Sequence, residues 1–551
     1  MRQDRKIVRD KHDKNYNFIS NILKILKVNI SIWLIIIICA LFNLVILRIR
    51  IKHISIWPGL DLFPSLIKYL STDRLLLNQD LFSNSEIYHS GRGPFIILSG
   101  IICKFLKLTP ETYFITTSII IQSFGPILLL LAIISAGYKG KCQLTFFHLL
   151  GLMSVLTLMS KYEHILFIAG YDSSFFNNGM TAQNLSIILT STGILLNVFL
   201  INSKKIIMLT LLVIAIILHP SVSICLILLY LLFKIANKNL KKTEILVFLF
   251  SISISLIFEF TLLMGKSSSL NGQEFTEIFA QLRHPQHFWP SFFISRMFFM
   301  QLALLSFFIV IVGVIFKNWI QLRILFFINI FIFSCLTVQF LLVEKLSVLS
   351  VSQFGITRGL LFIGFSFGAI IFNYLESGFE MATKINPSFG IRVNSRISIV
   401  VGVTLLLFSV IVVKESMNVA KLDFIKLQSG AQGQLSMLRL PKNSYVLVDP
   451  SFVNTQGWRE YGGISVYLDD YFPFNMNDIQ IYRNRWVGLC SHRILTECDI
   501  SMNVRDIYNF MLTQKIDYLV TVNKTIVNEK YLSNFEKIGQ YANLVSFKII
   551  K

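Results

Sequence analysis

The sequence predicts a polytopic α-helical membrane protein, with about 11 transmembrane helices followed by a small C-terminal α/β domain. Three observations predict it. Hydrophobic residues fill 54% of the 551 positions and charged residues only 15%, phenylalanine alone occurs 49 times, and the mean hydropathy is +0.64. Many segments run nearly uncharged for roughly 20 residues, about the thickness of a bilayer core, where lipid cannot satisfy backbone polar groups and helices must. Basic residues gather at the ends of those segments.

The net charge of +21 raises the question of nucleic acid, and its distribution answers it. The basic clusters are "MRQDRKIVRDKHDK" at the start, "NSKK" at 202–205 and "KIANKNLKK" at 234–242. Short basic loops between apolar segments are the signature of cytoplasmic loops and of contact with anionic headgroups. Membrane lipids are therefore expected partners, and nucleic acid is not.

Residues 1–28 read as a cytoplasmic basic tail. The first apolar run, "IWLIIIICALFNLVIL", lacks a small-x-small cleavage site and reads as an uncleaved anchor. Spans are expected near 29–48, 112–137, 142–160, 182–201, 206–218, 220–235, 243–264, 297–316, 320–343, 356–375 and 397–413. The pair at 206–235 meets at His219–Pro220. Proline breaks the helical ladder, and both flanks are basic, so two short helices fit better than one kinked helix. With this count the stretches at 138–141, 202–205, 236–242, 317–319 and 376–396 fall inside. Those at 49–111, 161–181, 265–296 and 344–355 fall outside.

The transmembrane domain thus covers 29–413, with a long first outer loop at 49–111. Within that loop, "PFIILSGIICKFLKL" at 94–108 is short for a span and suits an amphipathic helix in the outer interface. Residues 414–551 read as an extracytoplasmic α/β domain. It opens with an amphipathic connecting helix. "SYVLVDPS" and "DYLVTV" follow as buried strands, "NVRDIYNFMLTQKI" as a helix and "NLVSFKII" as a closing strand. Five of the seven cysteines lie in apolar segments. Cys490 and Cys498 lie in the tail, where an oxidising compartment would let them pair.

Polar residues that can carry chemistry concentrate in the outer stretches. Asp61 lies in "SIWPGLDLFPSL", between Pro58 and Pro64. It reads either as a rigidly placed general base or as a cap on a helix beginning at "FPSLIKYL". Arg358, in "SQFGITRG", enters a span from outside, either to hold a phosphate or to snorkel to headgroups. Arg92, in "SGRGPF", fits a phosphate nest or a plain turn. Arg283, His284 and His287, in "LRHPQHFWP", suit substrate or phosphate contact, or a structural loop. The two histidines lack an evident third ligand, so no metal is expected. Asp73, Asp172 and His219 are secondary candidates, His219 also reading as a hydrogen-bonded kink residue.

This arrangement resembles the GT-C class of integral membrane glycosyltransferases. The residues that carry the resemblance are "WPGLDLFP" after the first helix, the interfacial "PFIILSGIICKFLKL" and the outer tail from 414. "LRHPQHFWP", "ILHPSV" and "SQFGITRG" are similar to stretches in bacterial proteins of this type, where the loop often reads R-H-P-H-H; Gln286 replaces one histidine here. The paired acids found after the first helix in several families of the class are absent. The resemblance implies a GT-C-like fold in a bacterial cytoplasmic membrane. It also implies a polyprenyl-phosphate sugar donor, a glycan, lipid or protein acceptor, Asp61 as base, and arginines on the departing lipid phosphate, with no cofactor. A flippase or transporter for a lipid-linked glycan, which would place charges along a mid-membrane path, and a glycan polymerase or ligase remain as alternatives.

Overall fold

A computed structural model gives the fold. It describes residues 32–50, 66, 69–70, 93–137, 146–161, 181–199, 205–264, 273, 276, 289–293, 296–315, 317–348, 355–385, 395–448, 455, 457–468, 480–485, 507–522 and 534–550.

The described apolar segments are helical throughout. In chain order they are α1 (Ile32–Arg50), α2 (Gly93–Leu106), α3 (Pro110–Ser135), α4 (Phe146–Lys161), α5 (Ala182–Phe199), α6 (Lys205–Leu218), α7 (Pro220–Ala236) and α8 (Lys242–Met264). After these come α9 (Arg296–Ile315), α10 (Trp319–Gln339), α11 (Ile363–Ile385) and α12 (Ser395–Met437). A π-helical turn, Phe340–Lys345, extends α10, and a 3-10 turn, Ile356–Phe362, leads into α11. Helix starts carry the expected caps. Thr109 accepts from the Thr112 amide at 3.3 Å, with Pro110 in the first turn of α3. Thr181 accepts from the Asn184 amide at 3.1 Å ahead of α5. Such side-chain oxygens satisfy amides that the helix itself leaves open.

The protein is a membrane protein by the length and apolarity of three helices. Among the described residues, Pro110–Ser135, Trp319–Lys345 and Ile356–Ser377 are long and apolar enough to cross a bilayer. The described residues do not support the expected count of 11 spans. Seven of the other apolar helices are shorter in their described parts, Ile206–Leu218 and Pro220–Ala236 among them. Hydropathy reports apolarity, whereas spanning also needs length. The 14 residues of α6 reach only about 21 Å, against a core of about 30 Å.

At His219–Pro220 the chain reverses. Helix α6 runs antiparallel to α5: a Cβ on Gly193 would lie 3.1 Å from Leu212, and Ser186 Oγ is 2.9 Å from the Ala215 carbonyl. Helix α7 then returns alongside α5, where Thr190 donates to Ser223 at 2.9 Å. Further along the same direction, Asn197 of α5 and Lys234 of α7 meet the same oxygen of Glu244. Two short helices, as the basic flanks imply, replace one kinked helix.

The bundle therefore has two ends. At one, α3 finishes beside Asn237, His148 of α4 reaches Glu376 of α11 at 3.0 Å, and Asn318 reaches Ser377 at 3.2 Å. The Lys234–Glu244 pair is buried there at 3.3 Å. At the other end lie the starts of α5 and α7, the finish of α10 and the 3-10 turn. A single apolar core joins α1–α11 and takes in Phe424 of α12. Helix α2 keeps Phe95, Ile96 and Cys103 inside, while Ile101 and Phe105 stand exposed near Lys104 and Lys107, the pattern of a helix lying in an interface.

Helix α12 is 43 residues long, so the sequence-based division at residue 414 falls inside one continuous helix. Its last turns carry Ala431 and Leu435 into a second core with Val446, Trp458 and Val520. That core backs a five-stranded sheet of β1 (Tyr445–Val448), β2 (Ser465–Val466), β3 (Tyr518–Val522), β4 (Phe535–Tyr541) and β5 (Leu544–Ile549), in the order β2-β1-β3-β5-β4. Strand β1 pairs parallel with β2 and β3, while β3–β5 and β5–β4 are antiparallel. Helices α13 (Trp458–Gly462) and α14 (Ile507–Thr513) lie between the parallel strands in sequence, as parallel pairing requires a crossover. The expected strands in "SYVLVDPS", "DYLVTV" and "NLVSFKII" are β1, β3 and β5; β2 and β4 are additional.

Candidate functional site

Two of the sequence-derived candidates, Arg358 and His219, fall within the described residues, and they touch. Arg358 Nη1 donates to His219 Nε2 at 2.6 Å and to Gln183 Oε1 at 2.9 Å. These three side chains come from positions 139 and 175 residues apart in sequence, and all are partly exposed. Asp61, Asp73, Arg92, Asp172, Arg283, His284 and His287 lie outside the described residues, as do Cys490 and Cys498.

Each member is placed by the backbone. Gly355 takes the left-handed conformation (φ 63°, ψ 62°), which costs a glycine little. It turns the chain into the 3-10 segment that carries Arg358. The Ile356 amide is received by Gln339 Oε1 at 3.0 Å, so the end of α10 fixes the start of this segment. Gly359 lets the turn press against Phe331, Cys335 and Cys225; a Cβ there would lie 2.9–3.2 Å from all three. His219 has an extended backbone (φ −160°, ψ 87°) because Pro220 starts α7 immediately after it. Its carbonyl receives the Ser223 amide at 3.2 Å. Gln183 sits in the first turn of α5, behind the Thr181 cap.

Two interhelical contacts close the region. Below the cluster, Ser186, Thr190 and Ser223 form a fully buried hydroxyl seam between α5 and α7. At its edge, Glu344 of the π-helical turn holds the Ser291 amide and hydroxyl, both at 2.6 Å. The short helix Pro290–Phe293 is thereby tied to the same end of the bundle.

The chemistry of the arrangement follows from donor inventory. An arginine has five N–H donors and no acceptor. Two bonds through a single nitrogen fix the guanidinium plane, and both of these acceptors, an amide oxygen and an imidazole nitrogen, are neutral. Helices α5 and α7 begin beside it, and helix starts carry partial positive charge. The site is suited to an anion with several oxygens, of which phosphate is the common biological case.

Sequence reasoning weighed ionisable side chains and so passed over Gln183 and Gln339. The signal for Gln183 was a polar residue one turn into an apolar helix, in "MTAQNLS". Among the described residues no group of three or more His, Cys, Asp or Glu side chains is gathered to hold a metal ion.

The C-terminal sheet lies at this end of the bundle as well. Burial and the carboxylates of Glu111, in the first turn of α3, and of Glu460 hold the Tyr461 phenol above its ordinary range.

No protein-family model matches the chain, and no curated protein matches it. The functional reading therefore rests on the chemistry of the site.

Proposed function

We propose that the protein is a membrane glycosyltransferase that moves a sugar from a polyprenyl-phosphate donor to a glycan, lipid or protein acceptor at the outer face of a bacterial cytoplasmic membrane. The observation that carries this reading is the Arg358 guanidinium, oriented by Gln183 and His219 at one end of an apolar bundle. A lipid-borne phosphate arriving from the bilayer meets that end directly. In the transfer, the bond between the sugar and the phosphate oxygen breaks, the acceptor oxygen bonds to the sugar, and the acceptor proton passes to a base, for which Asp61 is proposed. Negative charge gathers on the leaving phosphate, and a preoriented arginine stabilises it there.

The orientation is part of the proposal. The opposite end carries the "KIANKNLKK" stretch and Lys317, and the positive-inside rule assigns such an end to the cytoplasm. The Arg358 end and the C-terminal sheet are then extracytoplasmic. With 11 crossings, the short helices match the bilayer by local thinning and by polar residues at their ends.

The test uses the full-length protein in phosphatidylcholine nanodiscs, with a radiolabelled polyprenyl monophosphate as ligand. Wild type is expected to bind. Arg358→Gln should lose most of that binding, and Arg358→Lys, which keeps charge without the planar fork, should recover only part. With a polyprenyl-phosphate sugar, Arg358→Gln and Asp61→Asn should each lower transfer by about 10²–10³-fold. Unchanged binding in Arg358→Gln overturns the reading. Movement of a lipid-linked glycan across a proteoliposome bilayer without transfer would replace it with the transporter alternative.

A further inference from the structure

We propose that the connection between α7 and α8 is a docking site for an anionic phospholipid of the leaflet at that end of the bundle, with Lys238, Lys241 and Lys242 on its phosphate and one lateral face of α8 along its acyl chains. The site lies at the end opposite Arg358 and is independent of any transfer chemistry there.

Helix α8 sorts its side chains into two faces by the helical period. Glu244, Phe248, Ser251 and Ser255 recur at helical spacing and are buried. Ser255 Oγ reaches the Val213 carbonyl of α6 at 3.5 Å. Leu246, Leu249, Phe250 and Ile257 fall on the opposite face and are 53–65% exposed. Lys242 stands one turn before Leu246 on that same face and is itself exposed. The stripe from Lys242 to Ile257 runs about 22 Å, past the middle of a hydrocarbon core about 30 Å thick. A long apolar face headed by a cation matches a lipid, chain and headgroup together. A nucleic acid or an acidic protein would use the cation alone.

The loop supplies the rest of the charge. Helix α7 closes at Asn237, whose amide meets the Phe233 carbonyl at 3.0 Å. The chain then turns at Lys238, in the left-handed conformation (φ 52°), with the Asn239 amide on the Lys234 carbonyl at 2.9 Å. The Lys241 amide is held by Glu244 Oε2 at 3.2 Å. Lys238, Lys241 and Lys242 are all exposed on this short turn. Glu244 is already engaged: its Oε1 takes Lys234 and Asn197, and its Oε2 takes the Lys241 amide. The buried Lys234–Glu244 pair is neutral as a unit, so the charge offered to a lipid is that of the loop. Among the described residues, no carboxylate forms an ion pair with Lys238, Lys241 or Lys242. Ile235, in the last turn of α7, and Ile206 and Ile207, at the start of α6, stand exposed at the same end. Ammonium groups over apolar surface at a leaflet boundary attract anionic headgroups.

The test uses the full-length protein in phosphatidylcholine nanodiscs that carry a trace of phosphatidylglycerol with a photoreactive diazirine on one acyl chain. A phosphatidylcholine probe with the same chains serves for comparison. After illumination, mass spectrometry maps the labelled peptides, and labelling of α8 is taken relative to Phe307 and Phe308, which are exposed on α9. Phosphatidylglycerol is expected to label the Leu246–Ile257 stretch at least about tenfold above phosphatidylcholine, and the preference should fall about fivefold for each of Lys238→Gln, Lys241→Gln and Lys242→Gln. Wild type at about 1 M salt, where charges are screened beyond about 3 Å, tests the same attraction without a substitution, and its preference should largely disappear. Equal labelling by the two probes makes the lysines solvated charges only and overturns the proposal. A preference that survives high salt or the triple substitution overturns it as well. Prenyl-phosphate binding at the Arg358 end should be unchanged in all three variants.

Discussion

Breaking the Lys234–Glu244 pair tests how the opposite end of the bundle is held. The Nζ–Oε1 distance is 3.3 Å, and the side chains are 5% and 9% exposed. With an effective dielectric of about 20, the attraction at that distance is about 5 kcal/mol, most of it offsetting the cost of removing two ions from water. The pair has support. Asn197 Nδ2 donates to Glu244 Oε1 at 3.0 Å, and the Lys241 amide donates to Oε2 at 3.2 Å, capping α8. Lys234→Met leaves a buried carboxylate with neutral donors, and Glu244→Gln leaves a buried ammonium and removes the cap. Each should destabilise by about 3–5 kcal/mol. The double variant buries no ion and should lie within about 1–2 kcal/mol of wild type, the lost cap included. A cycle of the four proteins, unfolded by detergent titration from nanodiscs, should therefore give a coupling of at least about 2 kcal/mol. Additive single effects would refute the reasoning. None of the variants should alter prenyl-phosphate binding at the Arg358 end.

Further predictions concern the packing of the site and of the sheet. Gly359→Ala places a methyl group 2.9 Å from Phe331 and 3.1 Å from Cys335; it should cost about 1–3 kcal/mol and weaken prenyl-phosphate binding, with Cys335→Ala restoring part of both. Gln434→Leu removes the acceptor that Trp458 Nε1 meets at 3.0 Å inside the second core; thermal unfolding followed by tryptophan fluorescence should show a loss of about 1–3 kcal/mol. For Tyr461, the folded state holds the proton beyond the ordinary tyrosine value of about 10. Above that pH the unfolded chain releases its proton first, so stability should fall as pH rises. Tyr461→Phe should reduce this alkaline loss, as read by melting temperature across an alkaline pH series.

What the sequence made legible was local. The apolar runs are long and uncharged, and helices occupy them. The reversal at His219–Pro220 is written in one dipeptide and two basic flanks. Length was harder to read, because hydropathy falls off where a helix leaves lipid even though the backbone continues. In α12 the apolar run ends near residue 413, and the helix continues to Met437 through Gly430 and Gly433. Strand β4, "FEKIGQY", contains Gly539 and a shifted register at Lys537/Gly539, so its alternation is broken. Lys234 reads as one more topological lysine in "KIANKNLKK". Its burial against Glu244 is a tertiary fact. The site was half legible. Arg358 and His219 drew attention as ionisable residues near helix ends, but their contact, and the part of Gln183 in it, depends on how α5, α7 and the 3-10 turn converge.

The contrast between the two ends supplies the functional argument. At one end a buried ammonium is matched by a carboxylate, so the pair adds no net charge and leaves little attraction for a further ion. At the other, the Nη1 contacts of Arg358 go to an amide oxygen and an imidazole nitrogen, neutral acceptors that orient the guanidinium. The backbone there is shaped for that orientation: a left-handed glycine before the arginine, a glycine pressed against sulfur and ring atoms after it, and a proline fixing the histidine. A merely structural ion would be served better by the first arrangement. The anion-receiving role proposed for Arg358 fits the second, since such a charge must be aimed in advance.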